Sequence, residues 1–332
     1  MNRDFNNKKV FVTGADGFIG SHLVNQLVRC GATVKALVYY NSWNHIGWLH
    51  DLDKEILDDI EIINGDIRDS FFINESVKGA NYVFHLSSLI GIPYSYIAAK
   101  SYVDTNIHGA LNIAQACLDL DSLDCLLNIS TSEVYGSAQF VPMSEDHPLV
   151  GQSPYAATKI AADKIIQSFH LSFDLPAVIA RPFNTYGPRQ TARAVIPTII
   201  NQALLSETLK LGNLDARRDF NYVSDTADGM LALSQSDKAI GKEINIGTGR
   251  SYSIREITEL VSKILGLELN IETEEDRVRP EKSEVTELLC DNSVILSNTN
   301  WKPLIDIETG LIKTIDWIDQ NKEKFSEKVY SI

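Results

Sequence analysis

Short, nearly continuous apolar runs recur along the first half of the chain, each followed by a polar or glycine-containing break. Lys9–Thr13, Thr33–Val38, Ile60–Ile63, Tyr82–Leu86 and Cys125–Ser130 read as strands, and their lack of a polar face predicts a sheet covered on both sides. Between them the apolar spacing changes to three and four, as in Ser21–Val28 and Tyr102–Leu118, which predicts amphipathic helices. Strand and helix alternating at this interval predict a parallel, doubly wound α/β sheet. A further strand over Ala177–Ala180 runs into the Pro- and Gly-containing segment Arg181–Arg189, and beyond it the rhythm is less regular. Asn245-Ile246-Gly247 reads as a return to the sheet, and a small helical lobe starts near residue 252. The expected division is therefore a sheet domain over residues 1–183, with return segments near 220–248, and a smaller interleaved lobe over 184–332. No repeat or flexible linker separates them.

The first break carries chemistry. Gly14-Ala15-Asp16-Gly17-Phe18-Ile19-Gly20 lies between a strand and a helix, the order a dinucleotide site needs. Small residues let backbone approach a pyrophosphate, and the free N–H groups of the helix N-terminus favour its charge. This makes the sheet domain Rossmann-type and Gly14, Asp16, Gly17, Phe18, Ile19 and Gly20 its cofactor-binding candidates. Many such sites end the second strand on an acid that holds the adenosine ribose, but this chain has Val38, Tyr39 and Tyr40 there, with no arginine or lysine following. The missing acid tilts the expectation toward NADP, with NAD kept open. Leu86 and Ser87, at the end of the fourth strand, would let the chain pass close to the cofactor. His85 reads as a packed core histidine.

Composition narrows the classes. The 332 residues carry a net charge of −14, which argues against nonspecific nucleic-acid binding while leaving room for a local basic pocket. Cys30, Cys117, Cys125 and Cys290 are scattered without metal-type spacing and read as buried thiols of a reducing compartment. No metal site is expected. A polar start and the absence of any long apolar run lead us to expect neither a signal peptide nor a membrane span, hence a cytoplasmic protein.

The fifth strand delivers Thr131-Ser132-Glu133-Val134-Tyr135-Gly136 at its carboxyl end, and Tyr155-Ala156-Ala157-Thr158-Lys159 follows nineteen residues after Gly136. Tyrosine and lysine at i and i+4 share a helix face, so the ammonium is expected to lower the phenol pKa and make Tyr155 a base. Glu133 adds a second proton acceptor.

These motifs, in this order, resemble the extended short-chain dehydrogenase/reductases. The resemblance implies that Thr131, Tyr155 and Lys159 are the redox triad, with Tyr155 and Lys159 also on the cofactor, and that Asp66 and Ile67 contact adenine. It further implies a homodimer built as a four-helix bundle from the helix ending at Leu118 and the one carrying Tyr155. Within the family, Thr131-Ser132-Glu133 resembles the trio of GDP-mannose 4,6-dehydratases, where dTDP-glucose 4,6-dehydratases have Thr-Asp-Glu. Tyr39-Tyr40-Asn41-Ser42, Ile92–Tyr96, Thr131–Gly136, Ala180–Arg189 and Arg279–Glu284 are similar to the bacterial sugar-nucleotide 4,6-dehydratases of legionaminic-acid-type pathways. That similarity implies a UDP- or GDP-linked N-acetylglucosamine, oxidised at C4, dehydrated across C5–C6 and reduced at C6 with a tightly bound NAD or NADP regenerated each cycle. Glu133 would be the base at C5 and Ser132 would orient the C6 hydroxyl or a water. Asn184 and Val195 would lie on the substrate, with Arg218 and Arg279 clamping its diphosphate. Arg217 and Arg277 read as surface charge. Alternatives are a UDP-glucuronate decarboxylase, a 4-epimerase, or a non-catalytic NADP-sensing protein on the same fold.

Overall fold

A computed structural model describes residues 3–273 and 285–325. In chain order the first strands are β1 (Lys9–Thr13), β2 (Thr33–Tyr39), β3 (Ile60–Gly65), β4 (Tyr82–His85), β5 (Cys125–Ile129) and β6 (Ala177–Pro182). They are followed by β7 (Asn184–Tyr186), β8 (Thr208–Leu211), β9 (Arg217–Tyr222), β10 (Glu243–Ile246), β11 (Ser251–Ser253), β12 (Asn270–Thr273) and β13 (Glu287–Leu288). Seven of these make one parallel sheet in the order β10-β6-β5-β4-β1-β2-β3. The expected doubly wound Rossmann-type sheet is what forms.

The apolar runs are explained by what covers them. Side chains alternate across a strand, so Val10 and Val12 enter one core with Leu23 and Leu27, while Phe11 enters the opposite core with Val83, Leu126 and Ile179. The first core also takes Met230, Leu231 and Leu233 from the helix Val223–Ser234, and Ile295 and Trp301 from far along the chain. Trp301 is held there by its indole N–H, which donates to the Asp225 carbonyl at 2.8 Å. Asp225 in turn accepts the Leu304 and Ile305 amides, each at 2.8 Å. The segment Ile295–Trp301 thus returns to the sheet domain, a crossing that local periodicity did not announce.

The second lobe is organised on β9. Its Phe220–Tyr222 half pairs with β7 in parallel, and its Arg217–Asp219 half pairs with β11 antiparallel and, over Arg217–Arg218, with β13 in parallel. A separate two-stranded parallel sheet joins β8 to β12. Helices Val195–Leu205, Ile254–Leu265 and Ile307–Gln320 cover β8 and β9 around Ile199, Phe220, Ile257 and Leu311. The lobe is therefore mixed, with strands where a helical one was expected.

The helix expected over Tyr102–Leu118 begins at Ala99 and winds as a π turn over Val103–His108 before continuing as Gly109–Leu118. The physical reason lies outside the segment. Asn106 is buried and its amide donates to the Leu89 carbonyl (3.0 Å) and the Thr158 hydroxyl (3.1 Å), while its carbonyl oxygen accepts the Leu89 amide (2.8 Å). These bonds hold Asn106 inward and offset the poorer backbone geometry of the wide turn. Of the cysteines, Cys117, Cys125 and Cys290 are buried thiols as expected, but Cys30 is half-exposed.

Candidate active site

The order of the sheet reverses between β1 and β4, and at this switch point an open α/β sheet has its crevice. Gly14 ends β1 there with φ +67°, and a Cβ at Gly14 would lie 2.8 Å from the Ser87 nitrogen. Any larger residue would collide with backbone. The helix Phe18–Arg29 starts beyond Gly17 with no side-chain cap, leaving its first N–H groups directed at the crevice. Gly14, Gly17, Phe18, Ile19, Gly20, Leu86 and Ser87 are thus brought together around one backbone cradle whose shape suits a pyrophosphate.

Thr13 fixes the cradle. Its hydroxyl oxygen accepts the Leu86 and Ser87 amides, both at 3.1 Å, and lies 2.9 Å from His85 Nδ1. With both lone pairs engaged, the hydroxyl donates its proton to Nδ1, which sets His85 as the neutral Nε2–H tautomer. Burial pushes the His85 pKa down to about 3, with the nearby Lys159 ammonium acting the same way. His85 is accordingly a fixed, uncharged strut, as its sequence context suggested.

The reaction group sits one strand further on. Thr131 follows β5 and caps the single 3-10 turn Ser132–Tyr135, its hydroxyl accepting the Glu133 amide at 3.2 Å. Tyr155 lies in the first turn of the helix Pro154–Phe173, which Pro154 and the Ser153 cap start at a defined residue. Tyr155 and Lys159 are both buried, and the phenol lies close to the Thr131 hydroxyl and within electrostatic reach of Glu133. Thr131, Glu133 and Tyr155 therefore meet, with Lys159 buried one turn along the same helix; Ser132 is buried on the 3-10 turn.

The electrostatics differ from expectation. Burial pushes the Tyr155 phenol well above its ordinary pKa, the Thr131 hydroxyl opposes this, and Glu133 reinforces it. Lys159 instead donates to the Ile129 carbonyl at 2.6 Å, and its own pKa is pushed down to about 8 by burial, opposed by Asp163. Beneath it lies a buried ion pair that escaped the sequence reading. Arg181 donates twice to one Asp163 oxygen, at 3.2 and 3.1 Å, and Ser130 donates to the same oxygen at 2.8 Å. Arg181 also donates to the Tyr135 hydroxyl, which donates to Asn245. One signal was available: Asp163 follows Lys159 by four residues and so shares its helix face.

Other candidates are placed as follows. Asp66 accepts two bonds from the Arg68 guanidinium Nε, at 2.9 and 3.0 Å, and Ile67 is buried under Gly109. Asn184 opens β7, and its side-chain oxygen is buried with no protein partner, an acceptor suited to a bound donor group. Val195 opens the helix Val195–Leu205 and is half-buried. Arg218 is buried on β9 between Tyr252 and Leu288, with Nη1 donating to the Arg217 carbonyl at 2.8 Å. Arg217 pairs with Glu256 at 3.1 Å. Arg277 and Arg279 lie outside the described residues.

A parallel sheet with a glycine cradle at its switch point, and a Thr-Tyr-Lys group at the end of the neighbouring strand, defines an extended short-chain dehydrogenase/reductase. More specifically, residues 11–314 match the GDP-mannose 4,6-dehydratase family, and the chain belongs to it. It is similar to the low-salt glycan biosynthesis protein of Haloferax volcanii, with 32% identity over 93% of this chain and 97% of that protein. It is also similar to a dTDP-glucose 4,6-dehydratase of Actinoplanes sp., at 29% identity over 95% of this chain and 98% of that one. Among solved structures it resembles a tyrosine-to-phenylalanine mutant of UDP-glucuronic acid 4-epimerase from Bacillus cereus, in complex with UDP-4-deoxy-4-fluoro-glucuronic acid and NAD. That likeness has a TM-score of 0.86 and 29% identity over 94% of this chain and 99% of the other. The chain is thus an enzyme of the sugar-nucleotide dehydratase and epimerase family with an NAD(P) cofactor. Among the described residues no helix is long and apolar enough to cross a membrane.

Proposed function

We propose that this enzyme carries out the 4,6-dehydration of a nucleotide-linked N-acetylhexosamine, with UDP-N-acetylglucosamine as first candidate and the GDP sugar as second. The observation that carries the reading is Glu133, a carboxylate on the same turn as Thr131 and within electrostatic reach of the Tyr155 phenol. A 4-epimerase needs only to turn a ketone over and gains nothing from a base at C5.

A bound nicotinamide supplies the hydride acceptor and donor. The remaining work falls to the chain. Tyr155, beside Thr131, is the acceptor for the C4 hydroxyl proton, and the positive charge of a bound oxidised nicotinamide would offset the burial that raises its pKa. Once C4 is a ketone the C5 proton is acidic, and Glu133 removes it and returns a proton to the departing C6 hydroxyl, which leaves as water. Ser132 orients that hydroxyl. Lys159, fixed on the Ile129 carbonyl, holds positive charge beside the crevice. Asn184 receives the diphosphate or sugar, Val195 packs near the nucleobase, and Arg218 and Arg279 clamp the diphosphate. We further propose a homodimer through the helices Gly109–Leu118 and Pro154–Phe173; exposed Leu118, Leu171 and Phe173 on them support it.

Purified enzyme incubated separately with UDP-N-acetylglucosamine, GDP-N-acetylglucosamine and UDP-glucuronate, without added reductant, tests the reading by product mass. Loss of water from an N-acetylglucosamine nucleotide is the expected result. Loss of carbon dioxide from the glucuronate, or an unchanged mass with inverted C4, overturns it.

A further inference from the structure

The end of β2 lacks the acid that holds an adenosine ribose, yet a carboxylate occupies that place from another direction. Asp16, in the glycine loop, lies against the end of β2, with Oδ2 accepting the Tyr39 amide at 3.4 Å. The following loop fixes it there. Asn41 ties the turn by donating to the Tyr39 and His45 carbonyls (3.2 and 2.8 Å) and accepting the Trp43 and His45 amides (3.2 and 2.9 Å). The turn leads into Gly47, whose φ of +57° and close approach to the Asp16 backbone exclude a side chain. The Trp48 amide then donates to the Asp16 carbonyl at 2.9 Å. The carboxylate is thus built into the meeting of two loops at the strand end where the adenosine half of a dinucleotide belongs.

We propose that Asp16 is the specificity residue for the cofactor, accepting the adenosine ribose hydroxyls and selecting NAD over NADP. This rests on the NAD(P) cofactor of the family and runs opposite to the tilt toward NADP that the missing acid suggested. A carboxylate accepts two vicinal hydroxyls readily. A 2′-phosphate placed there would instead meet a like charge, and would find the Tyr39 amide, a donor it could use, already taken. The loop after β2 brings no cation to reverse the balance, since residues 36–53 contain neither lysine nor arginine, and Lys324, over Trp48, is engaged by Asp51. Arg68 is near Tyr39, but its guanidinium is engaged by Asp66. His45 is the one imidazole acting on Asp16, and its Nδ1 accepts the Gly47 amide.

The test reads dinucleotide binding and needs no sugar substrate. The full-length protein is denatured and its resident dinucleotide identified by mass. The stripped protein is then titrated with NAD⁺ and NADP⁺ by equilibrium dialysis, alongside Asp16→Asn and Asp16→Ser, with thermal melts confirming that each variant folds. We expect NAD in the wild type, and in Asp16→Asn a rise of about tenfold in affinity for NADP relative to NAD, the size of one lost like-charge contact. Resident NADP, or a wild-type protein that binds the two equally, overturns the proposal, as does a ratio unchanged in both variants. If only Asp16→Ser folds, its ratio decides. A protein that dehydrates no sugar yet prefers NAD through Asp16 sinks the proposed reaction and leaves this inference standing.

Discussion

The cofactor half and the lobe around β9 reach order by different routes. In the cofactor half, a strand, a glycine turn and a helix adjacent in sequence build the cradle at Gly14, and the parallel strands that flank it are each a single apolar run. In the lobe, β9 takes partners from Asn184–Tyr186, Ser251–Ser253 and Glu287–Leu288, all distant in sequence from one another. The proposed catalytic group belongs to the first kind, since Thr131 and Glu133 lie within one turn and Tyr155 and Lys159 on one helix. Residues expected to hold the substrate, Asn184, Val195 and Arg218, belong to the second. Chemistry is local here, and recognition is assembled.

The largest expected effects would separate chemistry from binding within the local half. Tyr155→Phe should lower turnover by about 10²–10⁴-fold while the resident dinucleotide stays bound, as read by steady-state rates and released cofactor. Glu133→Gln should lower water loss by a similar factor, yet still exchange the C4 hydrogen of the substrate with the cofactor, visible with a C4-deuterated sugar. Full turnover in Glu133→Gln would remove the carboxylate from its role and with it the contrast between the halves.

A second experiment asks how far the local half depends on buried charge. Asp163→Asn strands the Arg181 guanidinium, of which only 2% of the side chain is exposed, and should cost about 3–5 kcal/mol in urea unfolding. A change under about 1 kcal/mol would mean that Tyr135 and Glu243 satisfy Arg181 without its main partner.

Lys159 gives a pH signature of the same region. Its pKa falls from 10.5 to about 8 in the folded protein, so between these values the unfolded chain binds the extra proton. Stability from this group therefore rises as pH increases from about 8 to about 10.5, relieving a burial cost of roughly 3 kcal/mol. Lys159→Met should abolish that rise relative to the wild type, measured by urea midpoints across the window.

The smallest effect is expected where the halves touch at the surface. Lys324 reaches from beyond the last helix to Asp51, 2.8 Å from both oxygens, and lies over Trp48 and Trp317. Lys324→Met should shift the melting free energy by no more than about 1 kcal/mol, because the pair is partly solvated. A larger loss would show that the lobes depend on this clasp, contrary to the buried crossing at Trp301.

How much was legible follows the same division. The sheet, its cradle and the Thr131, Glu133, Tyr155 and Lys159 group could be read because period, glycine placement and i, i+4 spacing are local signals. The π turn at Asn106 could not, since its cause is Leu89 and Thr158, and the segment has no proline or glycine inside it. Arg181 opposite Asp163 joins a strand to a helix, a pairing that no window contains. Trp301 fell in the region assigned to the lobe, and only its bond to Asp225 explains why it belongs under the sheet. Asp16 was visible as a loop residue, but its part at the end of β2 depends on the turn tied by Asn41.

The arrangement of β9 also sets an order of events during synthesis. Both edges of the cradle, Gly14 and Ser87, leave the ribosome before β9, and so do the candidate catalytic turn and helix. β9 emerges later and waits for Leu288 before its last neighbour is present. The sheet around β9 is then completed after the cofactor half. A growing chain spends that interval with the Arg217–Arg218 stretch of β9 lacking a partner on one side, and chaperones that bind unpaired strand edges should engage it there.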